Sequence, residues 1–133
     1  MPITTSYWAL LVSAAVAMFI GGLWYSPLLF GKFWMKEAGI KESDAKKNAG
    51  ASMLAGFIFV LVQVYVLSRF LDGAESMKAA LETAALVWLG FVATVQVGSV
   101  LWEKKSIKLF LLNTSYSLVN LLVMAAILQS WPA

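Results

Sequence analysis

Cysteine and histidine are both missing from this 133-residue chain. Their absence removes disulfides, thiolate and imidazole metal ligands, a cysteine nucleophile, a histidine base and histidine-ligated haem. Charge is scarce as well: Asp, Glu, Lys and Arg make up 13% of the residues, against about 25% in soluble domains. The acids Glu37, Glu42, Asp44, Asp72, Glu75, Glu82 and Glu103 are scattered without the spacing of a metal or acid–base cluster. No cofactor, no metal and no nucleic-acid partner is therefore expected, and the chain does not read as an enzyme.

What is present is apolar. Hydrophobic residues make up 61% of the chain, and a soluble domain this short cannot cover so much apolar surface. No ionised side chain occurs in four stretches: Met1–Gly31, Asn48–Ser68, Thr83–Trp102 and Leu109–Ala133. About 20 residues of helix cross a hydrocarbon core of about 30 Å, and each stretch reaches that length. One Lys or Asp at a helix centre costs roughly 2.5–3.5 kcal/mol. The pattern predicts an all-α fold, a single integral membrane four-helix bundle over 1–133. Its spans fall near 7–25, 49–69, 78–102 and 107–128. The first span is expected to be retained rather than cleaved as a signal. No Lys or Arg precedes it, and its apolar run is longer than a signal requires.

The lysines suggest an orientation. The first loop carries Lys32, Lys36, Lys41, Lys46 and Lys47, and the third loop region carries Lys104, Lys105 and Lys108. The second loop region has only Arg69 and Lys78. Positive charge stays inside, so loops one and three are expected in the cytoplasm and both termini outside. Trp24, Tyr25, Trp34 and Trp102 then fall at the inner interface, with Tyr7, Trp8 and Trp131 at the outer one; such rings favour headgroup depth.

Pro27 disfavours a helical Ser26 and ends the first helix. From Leu28 to Ala38, Leu29, Phe30, Phe33 and Trp34 alternate with Lys32, Lys36 and Glu37. This reads as an amphipathic interfacial helix over 28–38; a re-entrant or partner-docking element is the alternative. Gly39 is the expected stop, and Ser43 or Asp44 the expected N-cap of the second span. The short turns at Asp72-Gly73 and Glu103-Lys104-Lys105-Ser106 predict that helices two and three, and three and four, are antiparallel neighbours.

Small residues recur at helical spacing: Ser13, Ala17 and Gly21 on helix one, Gly90, Thr94 and Gly98 on helix three. Such faces let backbones approach closely, within one chain or between copies in a homo-oligomer. Uncharged polar residues within the spans are Gln63, Gln96, Asn113, Ser117 and Asn120. The last three share one face of helix four by their spacing, and amides avoid lipid. Folding the third hairpin about its turn sets Gln96 level with Asn113, which predicts a hydrogen bond between them. Folding about Gly73 sets Tyr65 level with Glu82, a phenol–carboxylate pair on the outer side. These positions read as inter-helical glue or as a polar path or small-ligand site. No charge lies at a helix centre, which argues against a proton relay.

Trp24-Tyr25-Ser26-Pro27-Leu28-Leu29-Phe30-Gly31-Lys32, followed by Trp34, resembles the signature of a small bacterial membrane family catalogued as domain of unknown function 1761. Trp88 to Thr94, with Gly90, and the Leu101-Trp102-Glu103 turn resemble that family's second block. The resemblance implies a four-span protein of a bacterial inner membrane. It carries no activity, and it makes the motif positions candidates for any functional centre.

Three functions are consistent with these features. The first is a self-associating structural or accessory membrane protein with the lipid bilayer and other copies as partners. The second is a small transporter or channel subunit using the uncharged polar residues of helices two to four. The third, an enzyme acting on lipid, lacks the carboxylate cluster, metal or base that such chemistry requires.

Overall fold

The computed structural model describes residues 6–47 and 49–132, with the side chain of Ala45 excepted. The extreme tails and Asn48 lie outside the described residues, and with them the termini on which the expected outside placement bears. Eight elements follow in order: α1 (Tyr7–Trp24), α2 (Gly31–Ala38), α3 (Glu42–Lys47), α4 (Ala49–Phe70), α5 (Met77–Trp88), a π-helical turn (Leu89–Ala93), α6 (Thr94–Leu101) and α7 (Ile107–Ser130). The described residues hold no strand.

Serines open three of the long helices. Ser6 Oγ accepts from the Trp8 amide at 3.1 Å, Ser76 Oγ from Ala79 at 3.1 Å and Ser106 Oγ from Leu109 at 3.3 Å. Each satisfies an amide that the first helical turn leaves without a carbonyl. Gly39, at φ 70°, ends α2 in the left-handed region, as anticipated, and the Ile40 amide reaches back to the Met35 carbonyl at 2.9 Å. The N-cap expected at Ser43 or Asp44 is not there. Both residues lie inside the first turn of α3, which starts at Glu42. Its acids lead and its lysines trail, the order that the helix dipole favours.

Four helices are long and apolar enough to cross a membrane: α1, α4, the continuous run from Met77 to Leu101, and α7, of 18, 22, 25 and 24 residues. At 1.5 Å per residue they measure roughly 27–38 Å, enough for the hydrocarbon core. Phe19, Leu54, Phe59, Leu86, Phe91 and Val95 point outward and are exposed. Exposed apolar side chains in such number suit lipid rather than water.

Loops one and three meet at one end of the molecule, where Glu37 accepts a hydrogen bond from the Ser106 hydroxyl at 2.8 Å. Loop two lies at the other end, where Gln129 Nε2 donates to the Ala74 carbonyl at 3.2 Å. At the loop-two end all four spans share one core. Ala14 and Ala17 of α1, Val60, Val64 and Leu67 of α4, Ala80 and Ala84 of α5, and Leu121, Met124 and Ala125 of α7 are buried together. Alanines on α1 and α5 bring those helices close to the larger side chains of α4 and α7. The alternation of small and large residues fills the space.

The expected neighbour relations hold only in part. α7 is the central helix, packed most extensively on α5 and then on α1; α1 in turn packs on α4. The second and third spans, though antiparallel and joined by a short turn, make no comparable contact. The third span is also the least buried, at 6% of its window. Its α5 half is seated on α7, whereas α6, beyond the π-helical turn, has no buried residue. The spans therefore close together at the loop-two end and part at the lysine-rich end. A turn length constrains where two helix ends lie and leaves their side-by-side packing to the side chains.

Candidate functional site

The signature around Trp24 builds one wall of this opening. The Phe30 amide bonds to the Trp24 carbonyl at 3.0 Å, and the Leu29 and Gly31 amides both bond to the Ser26 carbonyl, at 3.1 and 2.8 Å. Ser26 Oγ donates to the Leu23 carbonyl at 2.7 Å. The chain thus coils tightly after Pro27 before α2 begins. Gly31 is buried in that coil, and a Cβ there would lie 2.5 Å from the Tyr25 carbonyl oxygen. Only glycine fits.

The same coil gathers aromatic rings. Trp24 lies against Phe30 with centroids 4.9 Å apart. Tyr25 meets Trp34 edge-on at 5.3 Å and Tyr116 of α7 edge-on at 5.2 Å, the arrangement that ring quadrupoles favour. The Tyr25 hydroxyl donates to Asn113 Oδ1 at 2.6 Å. Tyr116 in turn lies against Gly21, where a Cβ would come within 2.6 Å of its hydroxyl.

Between this wall and α6 lies a cavity of about 850 Å³. Tyr25, Trp34, Gln96, Ser106, Asn113 and Tyr116 are among its lining residues, with Lys105 beside them. A second cavity of about 400 Å³ continues toward the loop-two end, between α4 and the third span. Val62, Val66, Val87 and Val92 form its sides, and Ser117, Asn120 and Leu121 of α7 line it. Gln96, Tyr116 and Ser117 border both cavities. Together they form one mainly apolar cleft, with Lys105, Ser106, Asn113 and the aromatic wall at the lysine-rich end and the valines farther in.

All five intramembrane polar residues picked out by sequence line this cleft: Gln63 and Asn120 the inner cavity, Asn113 the outer, Gln96 and Ser117 both. The predicted hydrogen bond between Gln96 and Asn113 is not formed. Asn113 Oδ1 is taken by Tyr25. The pair Tyr65–Glu82 is not formed either. Glu82 faces Lys78 one turn away at 3.9 Å, both side chains being exposed, and Tyr65 is exposed on α4. An (i, i+4) partner on its own helix lies within reach by helical geometry alone.

Of the signature residues, Trp24, Tyr25, Ser26, Gly31 and Trp34 build the wall, whereas Pro27 and Lys32 are exposed at its rim. Gly90 lies in the π-helical turn, where its carbonyl accepts from Thr94 Oγ1 at 2.7 Å. Trp102 projects outward, 85% exposed, as suits an interfacial anchor. The two small-residue faces part company. Ser13 and Ala17 are buried and Gly21 is filled by Tyr116, whereas Gly90 and Thr94 are exposed.

Tyr116 and the π-helical turn escaped the reading of the sequence, as did the bond made by Trp88, which enters that reading only as part of the second block. Tyr116 sits three residues after Asn113 and four before Asn120, so helical spacing alone places it on the polar face. Trp88 donates its indole N–H to the Thr114 carbonyl at 2.8 Å, pinning the third span to α7 just before that turn. The π-helical turn has no counterpart in the residue pattern. Among the described residues, three buried side-chain polar atoms have no hydrogen-bond partner: Ser13 Oγ, Trp24 Nε1 and Asn120 Oδ1. Only Asn120 among them lines the cleft. No group of acids in metal-ligating arrangement occurs among the described residues.

Residues 8–129 match the family model described as protein of unknown function, DUF1761. The chain belongs to the DUF1761 family. The match takes in the Trp24–Trp34 coil, the third span and the whole cleft. The DUF1761 model thus spans every side chain of the cleft, and its function is unknown. No curated protein and no solved structure matches the chain.

Proposed function

We propose that this DUF1761 protein takes up an amphipathic small molecule from the membrane into the cleft between its second and third spans, as a small binding or transport subunit. One observation carries the reading: the parting of the spans leaves a mainly apolar cleft whose outer part also gathers Lys105, Ser106 and Asn113. A molecule with a polar head and an apolar body matches that arrangement. The head lies near Asn113, Gln96 and Ser106, and the body lies among the valines of α4 and the third span. Cavities of about 300–1,000 Å³ with a few convergent polar groups are the usual size for such ligands. The bias of lysines toward loops one and three supports placing the polar end in the cytoplasm of a bacterial cell, with the protein in the inner membrane.

The test is photolabelling of the protein in liposomes by a fatty acid carrying a mid-chain diazirine, with adducts mapped by mass spectrometry. Saturable adducts on cleft residues such as Met18, Met53 and Tyr116 are expected. Adducts confined to outward residues such as Phe19, Phe59 and Phe91 would overturn the reading.

Self-association rests on a separate observation. Gly90 and Thr94 on the third span are exposed, and a Cβ at Gly90 meets nothing within 4 Å. A homo-oligomer would use this face, since that of α1 is already consumed within the chain.

A further inference from the structure

Among the described residues, one ionised side chain lines the two cavities: Lys105, in the outer one. The turn that carries it is tied to two other elements. The Lys105 amide donates to the Ser99 carbonyl of α6 at 3.0 Å, and the neighbouring Ser106 hydroxyl donates to Glu37 of α2 at 2.8 Å. The nearby acids do not line the cleft. Glu103 pairs with Lys105 at 3.3 Å, but both side chains are 60% exposed. A pair so open to water is weak, and an incoming anion can replace it. Loops one and three together carry eight lysines against the four acids Glu37, Glu42, Asp44 and Glu103. The field at this end of the cleft therefore favours negative charge.

We propose that the head of the amphiphile is an anionic oxygen group, such as a carboxylate or phosphate, and that Lys105 binds it in the outer cavity. The inference rests on the amphiphile reading above and specifies its head group. The amides of Gln96 and Asn113 can donate or accept, so they serve a neutral head as well as a charged one and do not decide between them. Lys105 decides, because an ammonium only donates and carries full charge. Tyr25, Trp34 and Tyr116 pull the other way, since aromatic faces attract cations. Their rings meet one another edge-on and form one wall, whereas a cation is best held between facing rings.

The experiment uses the full chain in phosphatidylcholine liposomes, which carry no net charge, with the diazirine fatty acid of the preceding test as reporter. Hexadecyl sulfonate, hexadecanol and hexadecyltrimethylammonium compete at equal mole fraction in the bilayer; they share the chain and differ in head charge. Cleft adducts are read relative to those on outward Phe59, which track the amount of reporter in the lipid. On the wild-type protein the sulfonate is expected to compete at least about threefold more strongly than the alcohol, and the ammonium no better than the alcohol. In Lys105→Gln the sulfonate and the alcohol are expected to compete within about twofold of each other. Lys105→Arg and Lys104→Gln are expected to keep the preference. Phosphatidylglycerol added to the liposomes separates two sources of the anion. Lys105-dependent loss of the adducts assigns it to a phospholipid, and adducts that persist assign it to a single-chain amphiphile. Equal competition by sulfonate and alcohol on the wild-type protein overturns the inference while the cleft reading stands, and it needs no variant. Strongest competition by the ammonium also overturns it and gives the head to the aromatic wall. So does a preference for the sulfonate that persists in Lys105→Gln or vanishes equally in Lys104→Gln, because the charge is then read elsewhere. If no cleft adducts form at all, the amphiphile reading fails and this inference fails with it.

Discussion

The Tyr25 hydroxyl donates to Asn113 Oδ1 at 2.6 Å across 88 positions of sequence. It ties the coil after the first span to the start of the fourth. The bond occupies the amide oxygen that helical registry assigned to Gln96, and it forms part of the polar end of the cleft. Tyr25→Phe should lower stability by about 1 kcal/mol, the net worth of one such bond. A double-mutant cycle with Asn113→Ala, followed by thermal unfolding in detergent, should give a coupling of about 0.6–1.7 kcal/mol. Additive losses would mean that the two side chains do not interact in solution.

Glycine replacements separate close approach from open space. A Cβ at Gly31 would meet backbone atoms of Tyr25 and Ser26, which have no side-chain rotamer to yield. Gly31→Ala should cost at least about 2 kcal/mol and lower the yield of folded protein. At Gly22 and Gly50 a Cβ meets nothing within 4 Å. Gly22→Ala and Gly50→Ala should be neutral or should stabilise by about 0.5–1 kcal/mol. Unfolding midpoints of the three variants side by side check the contrast.

Gly21 and Tyr116 should be coupled. Gly21→Ala drives a methyl group against the Tyr116 hydroxyl at 2.6 Å and should cost about 1–3 kcal/mol. Tyr116→Phe removes the oxygen that is struck, so the double variant should be more stable than the sum of single losses by at least about 0.5 kcal/mol. Strict additivity in the same unfolding assay would place the tyrosine ring elsewhere.

The absence of native cysteine makes orientation directly testable. Lys36→Cys and Lys104→Cys should react with a membrane-impermeant maleimide only after the cytoplasmic face is exposed. Lys78→Cys should react in intact spheroplasts. The reverse pattern would invert the assignment drawn from the lysines.

Transport should depend on the polar end of the cleft. In proteoliposomes, Gln96→Leu and Asn113→Leu should each reduce movement of a fluorescent fatty-acid analogue between leaflets toward the protein-free rate. Gln63→Leu, deeper in the cleft, should affect polar-headed probes less. Wild-type rates in both variants would leave the cleft a binding site and remove the transport reading.

Four long uncharged stretches could be read directly as helices, because an ionised side chain is too costly in hydrocarbon for its absence to be accidental over about 20 residues. Helix ends were legible for a similar reason. Ser106 and Gly39 meet backbone needs that arise locally, within one turn. The spacing of Asn113, Ser117 and Asn120 showed which face of the fourth span avoids lipid, because helical periodicity is itself local. Partners were not legible. Depth matching brought Gln96 and Asn113 to one cavity, but it could not foresee that Tyr25 arrives from another helix, nor that Glu82 turns to Lys78.

The sequence alone therefore determined the four helices long and apolar enough to cross a membrane and the polar face of the central one, since each follows from the cost of placing single residues in lipid. Only the tertiary structure decided that the second and third spans stand apart, that a π-helical turn precedes α6, and that Tyr25 takes the Asn113 amide oxygen. Those facts depend on which side chains from distant segments fill the same space. Alanines let the spans close at one end, while Tyr25, Trp34 and Tyr116 fill only one wall at the other and leave a cleft.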